Sequence, residues 1–204
     1  MGESFVQLPQ DGVGKKLRTR QRTIGANTVE EQGVFLSAAE SFVAYADAVV
    51  PAGNKHHLSI FNGVGSGRVV KLRKLFCVNL QSAAISGGLV RFDVKKTTAQ
   101  SAGTALTAQK VDSNNANLPA QILVATAATI TEGALLFPYM TLTEEQAVTQ
   151  PLTIAMFQQF QNVLLESPEL QELTLREGEG MTVKQITAIT AGSLGWIAAF
   201  TVEA

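Results

Sequence analysis

Short runs of alternating apolar and polar residues fill the chain from residue 33 onward and predict β-strands. In the clearest run, residues 87–96, apolar positions alternate with charged ones: Val90, Phe92 and Val94 against Arg91, Asp93 and Lys95. This period of two is typical of strands that bury one face. In residues 192–204, five apolar residues are in phase: Leu194, Trp196, Ala198, Phe200 and Val202. We expect that strand to lie in the middle of a sheet or to close one.

These runs recur at intervals of about ten residues with turn residues between them, which is typical of sandwiches and barrels. We therefore predict a mostly β protein, with a β-sandwich or jelly-roll-like body over residues 33–204 and at most one short helix. The helix would lie within "PLTIAMFQQFQNVLLE", residues 151–166, where apolar residues fall at three- and four-residue spacing. Its β-branched residues leave both helix and strand open for residues 153–165.

Two glycine-rich stretches predict hairpin turns. "NGVGSG", residues 62–67, leads into a strand over residues 68–80, whereas a phosphate-binding loop leads into a helix. "REGEG", residues 176–180, stands between two apolar runs, and its glycines supply the positive φ that tight turns need. In the strand over residues 68–80 we place one apolar face at Val70, Leu72, Phe76, Val78 and Leu80.

Residues 1–32 differ from the body and predict an extended N-terminal arm. Five cations lie within eight positions, at Lys15, Lys16, Arg18, Arg20 and Arg22. Such a segment buries too little apolar surface to offset its own ordering entropy. We expect it to order on a partner, with contacts from these cations and from the apolar anchors Leu8, Leu17 and Ile24.

Charge is scarce and unevenly distributed along the 204 residues. Charged residues make up 16% of the chain, against about 25% in average soluble domains, which favours a subunit that buries surface against neighbours. A weakly charged free domain with an Ala-, Thr- and Ser-rich surface stays open. Residues 1–96 hold 13 Lys or Arg and 7 Asp or Glu, whereas residues 97–204 hold 3 and 10. The resulting +6 and −7 would pair between copies, or would cancel within one copy.

Few residues offer catalytic or metal chemistry. Cys77 lies in an apolar strand pattern and is predicted to be a small core residue. The two histidines, His56 and His57, are strand neighbours that point to opposite faces and cannot chelate one metal together, so we interpret them as surface or turn residues. Glu177 and Glu179 would be solvated, or would form an acidic docking turn for a neighbour's cations. We predict no enzyme activity, no cofactor and no metal site.

The basic stretch suits an acidic protein groove or a phosphate backbone. It lacks the aromatic residues that nucleic-acid binders usually add, and the acidic C-terminal half of the chain offers a protein target, so we favour protein contact. Nucleic-acid binding stays as the alternative of another class. Residues 1–10 lack a charged start followed by an apolar core, and no apolar run approaches the length that spans a bilayer. We therefore expect no secretory leader and a soluble chain with no membrane partner.

Two segments resemble virion structural proteins of tailed bacteriophages. The N-terminal pattern comprises Leu8-Pro9, Asp11-Gly12, residues 14–16, Arg18-Thr19, residues 22–25 and residues 27–29. The C-terminal pattern is "LTLREGEGMTVKQ", residues 173–185, with Met181 at a position where the family has leucine. The resemblance implies a non-enzymatic structural subunit located in the virion and assembled in the host cytoplasm.

From the resemblance and the arm together we expect a capsid decoration or cement protein that stabilises the particle through its arm. A tail, collar, head–tail junction or fibre-attachment subunit is the alternative. The expected partners are other copies of the chain and other virion proteins, such as major capsid or tail proteins, in an oligomer.

Overall fold

A computed structural model divides the chain into two units, Met1–Leu36 and Ser37–Ala204. The structure describes residues 39–81, 85–86, 88–143, 162–164 and 172–203, together with the backbone of 19–24 and 27–32. Within these ranges the chain forms thirteen strands and no helix. The start of the predicted body, residues 33–38, and most of the predicted helix lie outside the described residues.

The first unit contains an antiparallel ladder of β1 (Thr19–Ile24) and β2 (Asn27–Gln32). The strands of the second unit are β3 (Glu40–Val49), β4 (His56–Asn62), β5 (Val69–Asn79), β6 (Leu89–Ser101), β7 (Thr104–Ala105), β8 (Gln109–Lys110), β9 (Ile122–Thr126), β10 (Thr129–Leu142), β11 (Leu173–Leu175), β12 (Glu179–Gln185) and β13 (Leu194–Glu203).

The second unit contains two antiparallel sheets. The order is β10-β6-β12-β4-β9-β7 in the six-stranded sheet and β11-β5-β13-β3-β8 in the five-stranded sheet. Strand β13 therefore lies between β5 and β3, which confirms the prediction of a central strand. Strand β10 lies at an edge, and its register with β6 shifts near the middle, in agreement with Pro138, because proline cannot donate to a ladder.

The core lies between the two sheets and confirms the predicted β-sandwich. All five in-phase apolar residues of β13 are buried, as are the three predicted core residues of β6. The rings of Phe92, on one sheet, and Trp196, on the other, meet edge to face with centroids 5.1 Å apart. Cys77 is also buried, as predicted, and burial raises the pKa of its thiol.

A β-bulge at Arg73 changes which residues of β5 face the core. Leu72 and Lys74 pair with adjacent residues of β13, so Arg73 is an extra residue in the ladder. One extra residue moves the rest of the strand to the opposite face. The predicted inward positions of Phe76, Val78 and Leu80 are therefore wrong, and the buried residues after the bulge are Leu75 and Cys77.

Neither glycine-rich stretch forms the predicted hairpin. The first connects β4 of the six-stranded sheet to β5 of the five-stranded sheet, and the second connects β11 to β12 across the same two sheets. Because β11 pairs with β5 and β12 pairs with β4, the two crossovers lie side by side at one end of the sandwich. Alternation in the flanking strands predicts the strands themselves but not which sheet each one joins.

Candidate functional site

The predicted arm contacts are only partly described. Leu8, Lys15, Lys16, Leu17 and Arg18 lie outside the described residues. Arg20, Arg22 and Ile24 lie on β1, for which the structure gives the backbone. Their predicted contact with a neighbouring subunit stays a prediction.

The described backbone of the arm is a β-ladder, a pairing that the sequence analysis did not identify. The register places Arg20 opposite Glu31 and Arg22 opposite Val29, and Glu30 lies opposite Gln21. The ladder thus holds two arginines on β1 and two glutamates on β2, with Arg20 and Glu31 directly opposed. This ladder is neutral in formal charge, although residues 14–23 alone are strongly basic.

Glu177, half of the predicted acidic docking turn, binds the other glycine-rich turn of its own chain. Its carboxylate accepts hydrogen bonds from the backbone N–H groups of Gly65 at 3.3 Å and Gly67 at 2.5 Å. Both glycines have positive φ, and consecutive N–H groups in such turns form a concave site for an anion. The two glycine motifs therefore form one structure, closed by a carboxylate that the sequence presents 110 residues after Gly67.

Glu179, the other half of that turn, also has partners within the chain. It accepts a hydrogen bond from the backbone N–H of Arg176 at 2.9 Å and lies 3.9 Å from the Lys96 ammonium. The Lys96 ammonium thus stands beside Glu179 and offsets part of the negative charge of the turn. Docking of a neighbour's cations at this turn stays a prediction.

The buried residue Asn62 connects the same two crossovers. Its amide nitrogen donates to the carbonyl of Arg68 at 2.8 Å and to that of Leu175 at 3.1 Å. The carbonyl of Asn62 accepts from the N–H of Gly178 at 2.7 Å. Buried backbone groups need such partners where a ladder ends, so Asn62 holds both crossovers in place.

A charged cluster lies on the outer face of the six-stranded sheet. Glu132 forms ion pairs with Lys95 through Oε2 at 2.6 Å and with Lys184 through Oε1 at 2.5 Å. His56 Nε2 lies 3.7 Å from Glu132 Oε1. The side chains come from β10, β6, β12 and β4, and each is 13–26% exposed. The sequence separations of 37 and 52 residues from the lysines explain why no local pattern indicates this cluster.

The pKa values of Glu132 and His56 are both lowered in this cluster. Partial burial alone would raise the pKa of Glu132, but hydrogen bonds and Coulombic attraction from Lys184 and Lys95 outweigh burial and lower it to about 2. The pKa of His56 is lowered, first by burial and then by the two ammonium groups, against the opposing attraction of Glu132. At neutral pH the cluster therefore holds an ionised glutamate, two ammonium groups and a neutral imidazole.

His56 lies between a hydroxyl and a carboxylate, as a catalytic base does, but the hydroxyl is not available as a nucleophile. Thr182 donates its hydroxyl to the Leu58 carbonyl at 3.2 Å, so His56 Nδ1–H is the donor in the 3.0 Å bond to Thr182 Oγ1. Thr182 is completely buried. This geometry favours a structural network over nucleophilic chemistry.

His57, the next residue, lies inside the sandwich. Its Nε2–H donates to Gln185 Oε1 at 2.9 Å, and its ring meets Phe92 edge to face with centroids 5.0 Å apart. Its Nδ1 has no hydrogen-bond partner among the residues that the structure describes. Burial lowers the pKa of His57 to about 4, against the opposing hydrogen bond from Gln185. The prediction of surface or turn histidines is therefore wrong for His57, which is fully buried.

The Gln185 side chain joins three segments at this end of the core. Its oxygen accepts from the N–H of Ala52 at 2.9 Å as well as from His57. Its nitrogen donates to the carbonyls of Thr187 at 2.6 Å and Ile189 at 2.7 Å. All four hydrogen-bonding positions of the amide are thus used, which is the favourable state for a buried polar group.

An apolar stripe lies along β10 on the outer face of the same sheet. The register pairs Leu142 with Leu89, Met140 with Arg91 and Leu135 with Lys95, so the stripe borders the charged column of β6. The exposed members are Leu89 at 51%, Leu135 at 46%, Leu136 at 36%, Met140 at 52%, Leu142 at 48% and Ile186, which follows β12, at 37%. In the sequence, the run "ALLFPYM" indicates this stripe, since it is too apolar for a strand that exposes one face to solvent.

Among the described ranges, no three His, Cys, Asp or Glu side chains are arranged to hold a metal ion. The same residues include no helix with the length and apolar character that crossing a membrane requires. No protein-family model, curated protein or solved structure matches this chain.

Proposed function

We propose that this chain is a structural subunit of a tailed-bacteriophage virion, in the first place a capsid decoration or cement protein. A tail, collar, head–tail junction or fibre-attachment position is the alternative within the same class. The observation that carries the proposal is the apolar stripe on β10. The sequence resemblance supplies the kind of particle.

The stripe supports assembly because free monomers rarely expose large contiguous apolar patches. Met140 and Leu142 are each about half exposed, and their strand lies at the edge of the six-stranded sheet. Charged residues, especially lysines, usually protect such an edge from unwanted association. Here the neighbouring cations Lys95 and Lys184 are already bound to Glu132, so the stripe suits a permanent protein contact.

The division of the chain into two units supports the same proposal. A separate N-terminal unit that carries most of the chain's clustered cations suits a strap on a neighbouring subunit. The ladder pairs its two arginines with a strand holding two glutamates, which favours a protein target over a phosphate backbone.

The test is incorporation into particles. A tagged full-length chain would be expressed during infection by the phage that encodes it, and its copies per purified particle would be counted. We expect Met140→Lys and Leu142→Lys, both at exposed positions, to lower occupancy at least tenfold while the isolated proteins stay folded. Deletion of residues 2–25 should leave a folded body with the same loss.

Val64→Lys is the matched control, because Val64 is 79% exposed and lies on the glycine-rich turn, not on β10. It should join particles at the occupancy of the unchanged chain. Absence of the unchanged chain from purified particles would refute the proposed function. Unchanged occupancy of both stripe variants would refute the role of the stripe.

A further inference from the structure

The chain contains one Asn-Gly dipeptide, Asn62-Gly63, where β4 ends. In such a pair the backbone nitrogen of the glycine attacks the side-chain amide carbon of the asparagine, because glycine has no side chain to hinder the approach. The new C–N bond closes a five-membered succinimide, and the amide nitrogen leaves as ammonia with the proton of the glycine N–H. Water then opens the ring, which gives aspartate or, when the backbone bond of the ring breaks, isoaspartate.

The packing requires both residues of this labile pair. The Asn62 amide donates one hydrogen to the Arg68 carbonyl at 2.8 Å and the other to the Leu175 carbonyl at 3.1 Å. A Cβ on Gly63 would lie 2.7 Å from the backbone oxygen of Gln121, which is too close for a residue with a side chain. The body therefore keeps a dipeptide that is chemically reactive in an unfolded chain.

The same contacts oppose the reaction in the folded body. Asn62 pairs with Glu179 on one side and with Ile122 on the other, which holds its backbone extended. Ring closure requires Asn62 to leave this conformation, so that the Gly63 nitrogen turns towards the side chain. The Gly63 N–H is also bound to the Gln121 carbonyl at 2.9 Å. Deamidation therefore needs at least a local opening of this end of the sandwich.

The products of deamidation do not fit the folded site. A carboxylate at position 62 would direct its oxygens at the carbonyls of Arg68 and Leu175, which accept the amide hydrogens now. Asn62 is completely buried, and its Oδ1 has no hydrogen-bond donor among the described residues, so the charge would be desolvated without compensation. Isoaspartate would lengthen the backbone by one carbon and shift Gly63 away from Gln121.

We propose that Asn62 is a site of spontaneous deamidation that reacts only when this end of the sandwich is open, and that a deamidated chain cannot rebuild both crossovers. Unfolding thus becomes irreversible with time, through a covalent change at one residue. A chain that stays folded keeps its asparagine, whereas a chain left unfolded loses the ability to refold. This inference is independent of the proposed virion function.

Peptide mapping by mass spectrometry measures the deamidated fraction at Asn62 over time. The full-length protein is held at mildly alkaline pH in buffer and in guanidinium chloride, which unfolds it. We expect conversion to be at least about tenfold slower in buffer, because the native state opens rarely. Gln185→Leu, which removes the buried amide that joins three segments, should react faster than the unchanged chain in buffer and at the same rate in denaturant.

Gly63→Ala is the control in denaturant, where its own ability to fold does not matter. The added methyl group hinders the attack, so conversion at Asn62 should slow at least about fivefold. The second readout is refolding by dilution after increasing times in denaturant. The refolded fraction of the unchanged chain should fall in step with deamidation, and the refolded protein should retain Asn62.

Three results would overturn the proposal. Equal conversion rates in buffer and in denaturant would show that the fold does not protect Asn62. Equal rates in denaturant at Asn62 and at Asn115, which is followed by alanine, would exclude Asn62 as the preferred site. Full refolding of chains deamidated at position 62 would show that the crossovers accept the product.

Discussion

Strands β4 and β12 carry a polar network on each face of one sheet, built from residues adjacent in sequence. His56 and Lys184 belong to the charged cluster outside, and His57 and Gln185 belong to the neutral network inside. The register shifts between Val183 and Lys184, so a bulge in β4 separates the two histidines. Neighbouring residues of a strand point to opposite faces in any case, and the extra residue decides which of the two histidines lies inside.

The difference teaches how burial selects the kind of interaction. Inside, His57 is completely buried and the network contains no ionised group at neutral pH. Outside, Glu132 keeps contact with solvent and remains ionised through its two lysines. A charge costs several kcal/mol to desolvate, whereas a fully hydrogen-bonded amide costs much less. The inner network should therefore dominate stability, and the outer one should be weakened by salt.

The largest expected effect is in the inner network, for Gln185→Leu. The change leaves the N–H of Ala52, the Nε2–H of His57 and two carbonyls without partners, which should lower the free energy of unfolding by about 3–5 kcal/mol. Chemical denaturation measures it. Gln121→Leu, an exposed glutamine side chain, should change stability by less than about 0.5 kcal/mol. Equal losses of unfolding free energy in Gln185→Leu and Gln121→Leu would contradict the role of Gln185 in the inner network.

Acid should weaken the inner network before the outer one. Folding lowers the pKa of His57 from about 6.5 to about 4, so the unfolded chain binds the proton first. Its stabilising effect is complete above about pH 6.5 and is lost as the pH falls to 4, by about 3 kcal/mol. The check compares urea midpoints of the unchanged chain and His57→Phe across this range. If the urea midpoint changed equally with pH in both proteins, a group other than His57 would be responsible for the pH dependence.

A smaller effect is expected outside, for Glu132→Gln. Removal of the charge leaves Lys95 and Lys184 partly buried without a carboxylate, and solvent screening limits the loss to about 1–2 kcal/mol. The carboxylate contributes fully above about pH 4.5 and loses its effect towards pH 2, because the folded pKa is about 2. Glu179→Gln, with a 40% exposed side chain, is the control and should cost less. High salt should reduce the difference in stability between the unchanged chain and Glu132→Gln.

The smallest effect is expected for Glu177→Gln at the exposed turn. Glutamine keeps one acceptor oxygen for Gly65 or Gly67 and turns an NH2 donor towards the other N–H, so one hydrogen bond is lost and stability at this exposed turn should fall by about 0.5–1 kcal/mol. Amide hydrogen exchange of these two glycines is the sharper measurement and should accelerate, while exchange in β13 stays unchanged. Equal acceleration in both places would indicate global destabilisation instead.

Local alternation predicts much of the sandwich. The strands around Val90 and Trp196 follow it closely, because each presents one continuous face to the core. It fails at Arg73, where one extra residue reverses the phase without changing composition. It also fails at the glycine turns, since a turn within a sheet and a crossover between sheets use the same residue types.

Local alternation could not predict the charged cluster around Glu132 or the hydrogen bonds that join Glu177 to the other glycine-rich turn. Glu132 meets lysines of two other strands, and that meeting depends on strand order, which no local pattern encodes. Glu177 was identified as a candidate for binding, but its partners within the chain, Gly65 and Gly67, were interpreted separately. Sequence can propose such residues, but only the assembled topology shows which of them meet.

The register of β3 with β13 has a mechanical consequence. Glu40 lies opposite Val202, so the polypeptide enters and leaves the sandwich at neighbouring points of one ladder. Tension applied between these points would peel the ladder one hydrogen-bonded pair at a time, beginning there. Adjacent ends also make this domain well suited to circular permutation or insertion into a host loop.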